Sequence, residues 1–315
     1  MLDKLETGIP IVLLVVVKAS GSTPGRQGFK MLISKDSTQL GTIGGGAMEF
    51  NFIKLAKECL KLQQIGFRIK VQMHHKYAPE ELQSGLICSG EQWIAYGVIE
   101  PTQENKNLFG KVIGKSNKQN VLQITPEKIS LLHDVGSLPK DNKYKLNFNS
   151  ESEWIFKENL QFRDRLYIFG GGHVGLALSR IFSTLDFYIV LIDNRKDVKS
   201  IKDNTYTDEI IIDEYNNTGK YIEEGTTSYI AVVTTSMPTD VEAITAIIEK
   251  DVRYIGVMGS KSKKKEIFNK LSKKGITGQE VSKIKMPIGI NGIKTHSAEE
   301  IAISIAAEII KIKNQ

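Results

Sequence analysis

The chain has 315 residues, of which 41% are hydrophobic and 25% charged, and its formal net charge is +6. That is the balance of an ordinary soluble globular protein long enough for two domains. The mild positive charge admits an anionic ligand without requiring nucleic acid, and no aromatic and basic pattern of an RNA-binding module is present. Cys59 and Cys88 are the only cysteines and form no CxxC pair, which excludes a disulfide framework and points to a reducing, cytoplasmic setting.

Ile9 to Val17 is apolar but too short to cross a bilayer, and it lacks the flanks of a signal peptide. Ile11 to Lys18 barely alternates and predicts a strand buried on both faces. A loop of turn formers, Ala19 to Gly25, leads to further strands over Phe29 to Ser34 and Gln39 to Ile43. Gly44, Gly45 and Gly46 then feed an amphipathic helix marked by Phe52, Leu55, Ala56, Cys59 and Leu62, with Gly66 as its stop. Three consecutive glycines lack the spacing of a nucleotide fingerprint but suit a backbone anion cradle. Glu49, in the first turn, reads either as a ligand contact or as a complement to the helix dipole.

Strands are predicted over Phe67 to Met73 and Trp93 to Ile99. Between them, Gln83 to Gly90 is a loop of small residues in which Cys88, beside Ser89 and Gly90, offers an accessible thiol. Cys59 lies on an apolar helix stripe and reads as a core residue. Residues 102–161 give weaker signals: a hairpin over 121–132, another over 144–156, and an extension and linker as a whole.

The strongest pattern follows. Leu166 to Phe169 reads as a buried strand, Gly170, Gly172 and Gly175 fit the G-x-G-x-x-G spacing, and Val174, Leu178, Ile181 and Leu185 recur at helical period. A second strand, Phe187 to Ile192, ends in Asp193, 23 residues after Gly170. Strand, glycine turn, helix, strand and acid together predict a Rossmann-like unit, with a phosphate at the helix N-terminus and Asp193 accepting from a ribose. On that basis a bound dinucleotide is expected to be NAD rather than NADP, with Arg195 as the residue that could reverse the preference by holding a 2′-phosphate. His173, inside the turn, reads equally as a capping side chain or a phosphate contact. Later strands are predicted over Glu209 to Ile212, Tyr229 to Thr234 and Tyr254 to Met258, with a capping box at Thr239 and Glu242 and another at Ser297 and Glu300. Lys261, Lys263, Lys264 and Lys265 open a helix against its dipole, a conflict that an anionic ligand would resolve.

These motifs together resemble the XdhC/CoxI family of xanthine dehydrogenase accessory factors. The residues that carry the resemblance are Gly21-Ser-Thr-Pro24, Gly41-Thr-Ile-Gly-Gly-Gly-Ala47, Ile87-Cys-Ser-Gly90, Phe169 to Gly175, Asp193-Asn-Arg195, Tyr254 to Ser260 and Pro287-Ile-Gly289. The resemblance implies an α/β chain with an XdhC/CoxI domain over 1–101, the extension over 102–161, and a Rossmann-like doubly wound parallel sheet over 162–315. It implies a non-catalytic accessory factor, or chaperone, that binds molybdenum cofactor (molybdopterin) and delivers it to an apo molybdenum hydroxylase. A cysteine desulfurase is the second implied partner, a homodimer is compatible with it, and neither nucleic acid nor membrane is expected. Cofactor-binding residues would be Gly44, Gly45, Gly46, Glu49, Cys88, Gly170, Gly172, His173, Gly175, Asp193, Arg195 and Ser260, with Cys88 also the metal ligand, since a thiolate suits a soft metal centre. NAD(P) is the second candidate cofactor, and an NAD(P)-dependent oxidoreductase the alternative reading; a purely structural interaction module is the third. The chain departs from the family pattern at Ser89, at Thr235 and Ser236, and at His296.

Overall fold

The structure is a computed structural model, and it describes residues 2–74, 89–113, 120–132, 142–276 and 278–315. Two compact units divide the chain, residues 1–162 and 163–315.

In the first unit a short helix α1 (Leu2–Glu6) precedes β1 (Ile11–Ser20), β2 (Lys30–Ser34), β3 (Gln39–Gly41), helix α2 (Gly46–Leu62), β4 (Phe67–Met73), β5 (Glu91–Ile99) and helix α3 (Gln103–Ile113). The strands form an antiparallel sheet in the order β3-β2-β1-β5-β4, so β1 is central. This is why its sequence does not alternate. Val12, Leu14 and Val16 pack against Met48, Phe52, Ala56 and Cys59 of α2, while Leu13, Val15 and Val17 face a second core on the other side. Helix α2 stops at Gln63, which takes the left-handed conformation and donates its N–H to Cys59 O. Gly66, expected as the stop, instead permits a close approach: a side chain there would meet Pro126 O at 2.5 Å.

The second core corrects the expectation for residues 102–161. Strands β6 (Val121–Ile124), β7 (Ile129–Leu132), β8 (Tyr144–Ser150) and β9 (Glu153–Asn159) make a four-stranded antiparallel sheet in the order β7-β6-β9-β8. The two hairpins are those read from the sequence, but they are not a linker. Trp154 and Phe156 alternate with Ile155 on β9 and are buried beside Leu13, Phe67 and Ala95. Period-2 burial of large aromatics makes this sheet a layer of the first unit's core. Phe156→Ala should therefore lower the unfolding free energy by about 3 kcal/mol or more. A loss under about 1 kcal/mol on chemical denaturation would mean that the sheet hangs loosely from its unit.

The second unit contains β10 (Arg165–Phe169), α4 (His173–Phe182), β11 (Tyr188–Asp193), α5 (Lys199–Lys202), β12 (Glu209–Ile212), a 3-10 turn (Tyr215–Tyr221), β13 (Gly225–Val232), α6 (Met237–Ile247), β14 (Val252–Val257), α7 (Lys261–Lys273), α8 (Gly278–Ser282), β15 (Ile284–Lys285) and α9 (Ala298–Lys313). All six strands are parallel, in the order β12-β11-β10-β13-β14-β15. That is the doubly wound Rossmann order, with its topological switch between β10 and β13. One face buries Phe169, Ile192, Val232 and Val257 under α6 and α7; the other buries Ile168, Leu191 and Ala231 under α4 and α9. Helix α6 begins three residues earlier than the sequence suggested. Ser236 is its N-cap and makes the capping box with Thr239.

Candidate functional site at the carboxyl edge of the parallel sheet

The glycine turn joins β10 to α4, and its three glycines have different jobs. Gly170 has φ +112°, and a side chain on it would meet Val233 O at 2.6 Å. Gly175 brings α4 down onto the turn, since a side chain there would meet Gly170 O at 2.0 Å. Gly172 is the N-cap residue, at φ −73°, and a side chain on it would meet nothing within 4 Å. Two glycines are thus needed for packing, and the middle one leaves the helix N-terminus open. The first turn of α4 has no acidic residue, and no side chain caps it. His173 is exposed there and caps nothing. An anion approaching Gly172 would meet unpaired N–H groups and the positive end of the helix dipole.

Asp193 ends β11 and is wholly buried. Its Oδ2 accepts from Gly171 N at 2.7 Å and Arg195 Nη2 at 2.8 Å; its Oδ1 accepts from Arg195 N and Nε, both at 2.9 Å. Burial alone would raise the carboxyl's pKa, but the bonds from Arg195 and Gly171 outweigh it and hold the group below the usual carboxylate range. The expectation that Asp193 faces a ribose therefore meets a side chain already turned onto the glycine turn and its own Arg195.

A second buried carboxylate was missed by the sequence reading. Asp240 lies on the apolar stripe of α6, four residues before Ile244 and seven before Ile247, where an unpartnered acid would be costly. That position was the available signal. Thr234 donates to its Oδ1 at 2.6 Å, and Lys263 Nζ lies 2.5 Å from its Oδ2. Burial still dominates, so the Asp240 pKa is raised, with Lys263 and Thr234 opposing the shift. Thr234 also adjoins the switch point, because a side chain on Gly170 would meet its Cα at 3.0 Å. The conflict of a lysine at the start of α7 is thus resolved for Lys263 inside the chain, with no ligand needed. Ser260, expected as a cofactor contact, is the N-cap of α7 and accepts from Lys263 N at 3.2 Å.

In the first unit the glycine cluster is already occupied. Glu49 Oε2 accepts from Ile43 N at 2.9 Å, Gly45 N at 3.0 Å and the Thr42 hydroxyl. Burial pushes its pKa up, but these donors prevail and lower it. Of the cradle expected at Gly44, Gly45 and Gly46, Gly45 N donates to the chain's own carboxylate and Gly44 N to the Thr42 hydroxyl, because the first turn of α2 carries Glu49 back over the loop. Two loops nonetheless adjoin this one in series. A side chain on Gly44 would meet Gly25 N at 2.6 Å, and one on Gly21 would meet Ser89 O at 2.9 Å. Buried Gln92 ties Gly25 to Ile43 through bonds of 3.4 and 3.1 Å. Ser20, Gly21, Met73, Ser89, Gly90 and Glu91 line a cavity of about 240 Å³. Cys88 lies outside the described residues, and Cys59 is buried, as its helix stripe predicted. Among the described residues there is no group of three or more His, Cys, Asp or Glu that could hold a metal ion, and no helix long and apolar enough to cross a membrane.

Comparison with known proteins gives consistent matches. Residues 5–69 match the XdhC and CoxI family, and residues 166–309 match the XdhC Rossmann domain. A Bacillus subtilis protein described as a probable xanthine dehydrogenase subunit is 22% identical, over all of this chain and 97% of its own length. An uncharacterized protein of Escherichia coli, YqeB, is 23% identical over 98% of this chain, which spans 44% of YqeB. A solved structure from Bacillus halodurans, described as a xanthine dehydrogenase, superposes with a TM-score of 0.70 at 22% identity, covering 99% of this chain and 94% of the other. At that identity the superposition speaks for the fold.

Proposed function

Because the chain belongs to the XdhC and CoxI family, we propose that it is an accessory factor for a molybdenum hydroxylase of the xanthine dehydrogenase type, binding molybdenum cofactor and handing it to the apo-enzyme in the cytoplasm. The observation that carries the reading is the open Gly172 at the α4 N-terminus, a place where a ligand's phosphate would complete the turn's unpaired N–H groups. Molybdopterin carries such a phosphate. Gly170 and Gly175 shape the turn, and His173, the next residue after Gly172, is exposed. When bound, the cofactor would supply the metal and its redox chemistry; the chain's own residues hold and shield it.

For the first unit, taken by itself, the proposal is that Cys88 offers a thiolate to a soft metal centre. Its neighbours Ser89 and Gly90 line a cavity large enough for a small ligand group. Cys88→Ser keeps the size of the side chain and removes its softness. It should weaken cofactor retention, seen as faster loss of molybdenum on gel filtration, while the thermal midpoint stays unchanged. Retention equal to the parent protein's would remove the thiol from the site.

A second reading, an NAD(P)-dependent oxidoreductase, draws on the strand order and the glycine turn. Titration of the purified chain with molybdopterin, NAD(H) and NADP(H) separates the two. Molybdopterin binding followed by transfer to apo-enzyme supports the accessory role. Failure of the parent chain to bind molybdopterin overturns it.

A further inference from the structure

We propose that Arg195 selects the ligand of the carboxyl edge, and that it selects a phosphate monoester over a bare ribose diol. The proposal rests on the reading that the turn at Gly170 to Gly175 holds a phosphate-bearing ligand. It reverses the preference that the position of Asp193 suggests from sequence.

A ribose diol donates hydrogen bonds, so it needs a carboxylate with acceptor capacity left. A carboxylate has about four acceptor sites. Asp193 accepts four bonds already, from Gly171 N and from Arg195 N, Nε and Nη2. Opening it to a diol would pull Arg195 away and strand a wholly buried charge, which is strongly unfavourable. The carboxylate is the holder in this arrangement, and the guanidinium is what it presents.

Arg195 has the complementary capacity. Of the roughly five N–H donors on a guanidinium, its edge at Nε and Nη2 is spent on Asp193. No other hydrogen bond to its side chain occurs among the described residues, and the side chain is 41% exposed. The fork is planar and fixed on one edge, so its remaining donors are oriented before any ligand arrives. Those donors suit a phosphate, which only accepts. The surrounding charge agrees: residues 193–202 hold four basic side chains against two acidic ones. Asp193 is matched by Arg195 and Asp197 by Lys202, leaving Lys196 and Lys199 in excess and exposed. The same segment is pinned to the glycine turn, because Ser200 donates its hydroxyl to Gly171 O and Ile201 packs against Gly171. Arg195 is therefore carried on a segment fastened to the turn that would hold the rest of the ligand.

Two ligands carry this chemistry: NADP, whose 2′-phosphate would meet Arg195 while its pyrophosphate meets the turn, and molybdopterin, whose single terminal phosphate would be shared by Arg195 and the turn, which bind the same Asp193 oxygen. NADPH and NADH differ only in that phosphate, so fluorescence titration of the full chain with each is the direct test, with molybdopterin as a third arm. NADPH is expected to bind at least about ten-fold tighter than NADH. The gap should narrow as salt is raised. Arg195→Gln should abolish the preference, because NADPH loses the donors for its phosphate while the NADH diol gains access to the freed Asp193 oxygens and binds no more weakly, a change in ratio that a merely structural residue would not produce. That variant strands the Asp193 charge, so the double variant Asp193→Asn with Arg195→Gln, which removes both charges, guards against a folding failure and should lose the same preference. If only molybdopterin binds and either variant weakens it, the phosphate is the pterin's. NADH binding as tightly as NADPH, or any bound ligand indifferent to both variants, overturns the proposal while leaving the turn as a ligand site. A parent chain that binds none of the three overturns the site itself.

Discussion

Lys263→Ala should destabilise the protein by about 3 kcal/mol at neutral pH, the range for breaking a buried ion pair. Local rules predict the opposite sign. Alanine is a good helix former, and removing a lysine from the first turn of α7 relieves its clash with the dipole. The tertiary pairing decides, because Asp240 is wholly buried and Lys263 is its only paired cation among the described residues. Without it the carboxylate keeps Thr234 alone and must ionise in the core or take up a proton. The pH dependence follows from the raised pKa. Below the unfolded value of about 3.9, Asp240 is protonated in both states and its burial is harmless. As pH rises above that, the unfolded state releases its proton first, and stability falls until the folded pKa is passed. The variant's deficit should therefore shrink on acidification and grow towards neutrality. Denaturation curves across that window check it, and Lys263→Ala combined with Asp240→Asn should recover much of the loss. A deficit independent of pH would mean that Asp240 finds another partner.

Asp193 behaves in the reverse sense. Its pKa is lowered, so the stability it contributes is present above the unfolded value and lost as pH falls through the folded one. The two buried acids, one at the end of β11 and one in the first turn of α6, thus tilt the pH profile in opposite directions.

Gly175→Ala should destabilise the second unit by about 3 kcal/mol, at the upper end of the usual penalty for overpacking. Again the local expectation has the other sign, since alanine in a helix is favoured over glycine by about 1 kcal/mol. The added carbon would sit 2.0 Å from Gly170 O, which belongs to backbone and cannot rotate aside. Helix α4 would have to lift from β10 or the turn distort, and ligand binding should fall with stability. Gly172→Ala is the control. Its backbone is ordinary and its surroundings empty, so stability should change by no more than about 1 kcal/mol, the cost of a poorer N-cap. Binding of any phosphate at that turn should still weaken, because the methyl group would occupy the approach. Equal loss of stability in both variants would show that the two glycines do the same work.

Local pattern alone was enough for most of the framework. The unalternating run from Ile11, the glycine spacing from Gly170 and the apolar strands after it reported burial directly, because side chains repeat every two residues in a strand and every 3.6 in a helix. Partnership was a different matter. Nothing in the spacing shows that Glu49 folds back to fill the cradle at Gly44 to Gly46, that Asp193 spends its oxygens on Arg195 and Gly171, or that Lys263 meets Asp240 from another helix. The first depends on which way a side chain turns within a few residues, and the last two on which elements the sheet order brings together, 22 residues apart for Gly171 and Asp193 and 23 for Asp240 and Lys263. The same holds for residues 120–159, where short strands of mixed polarity look like a linker until Trp154 and Phe156 find the face of β1. The sequence by itself determined which segments are strands, helices and turns, since that is written in near neighbours. Only the tertiary structure decided which charges are spent and which are offered to a ligand, because the direction a side chain turns and the partner it meets are not set by the spacing of near neighbours.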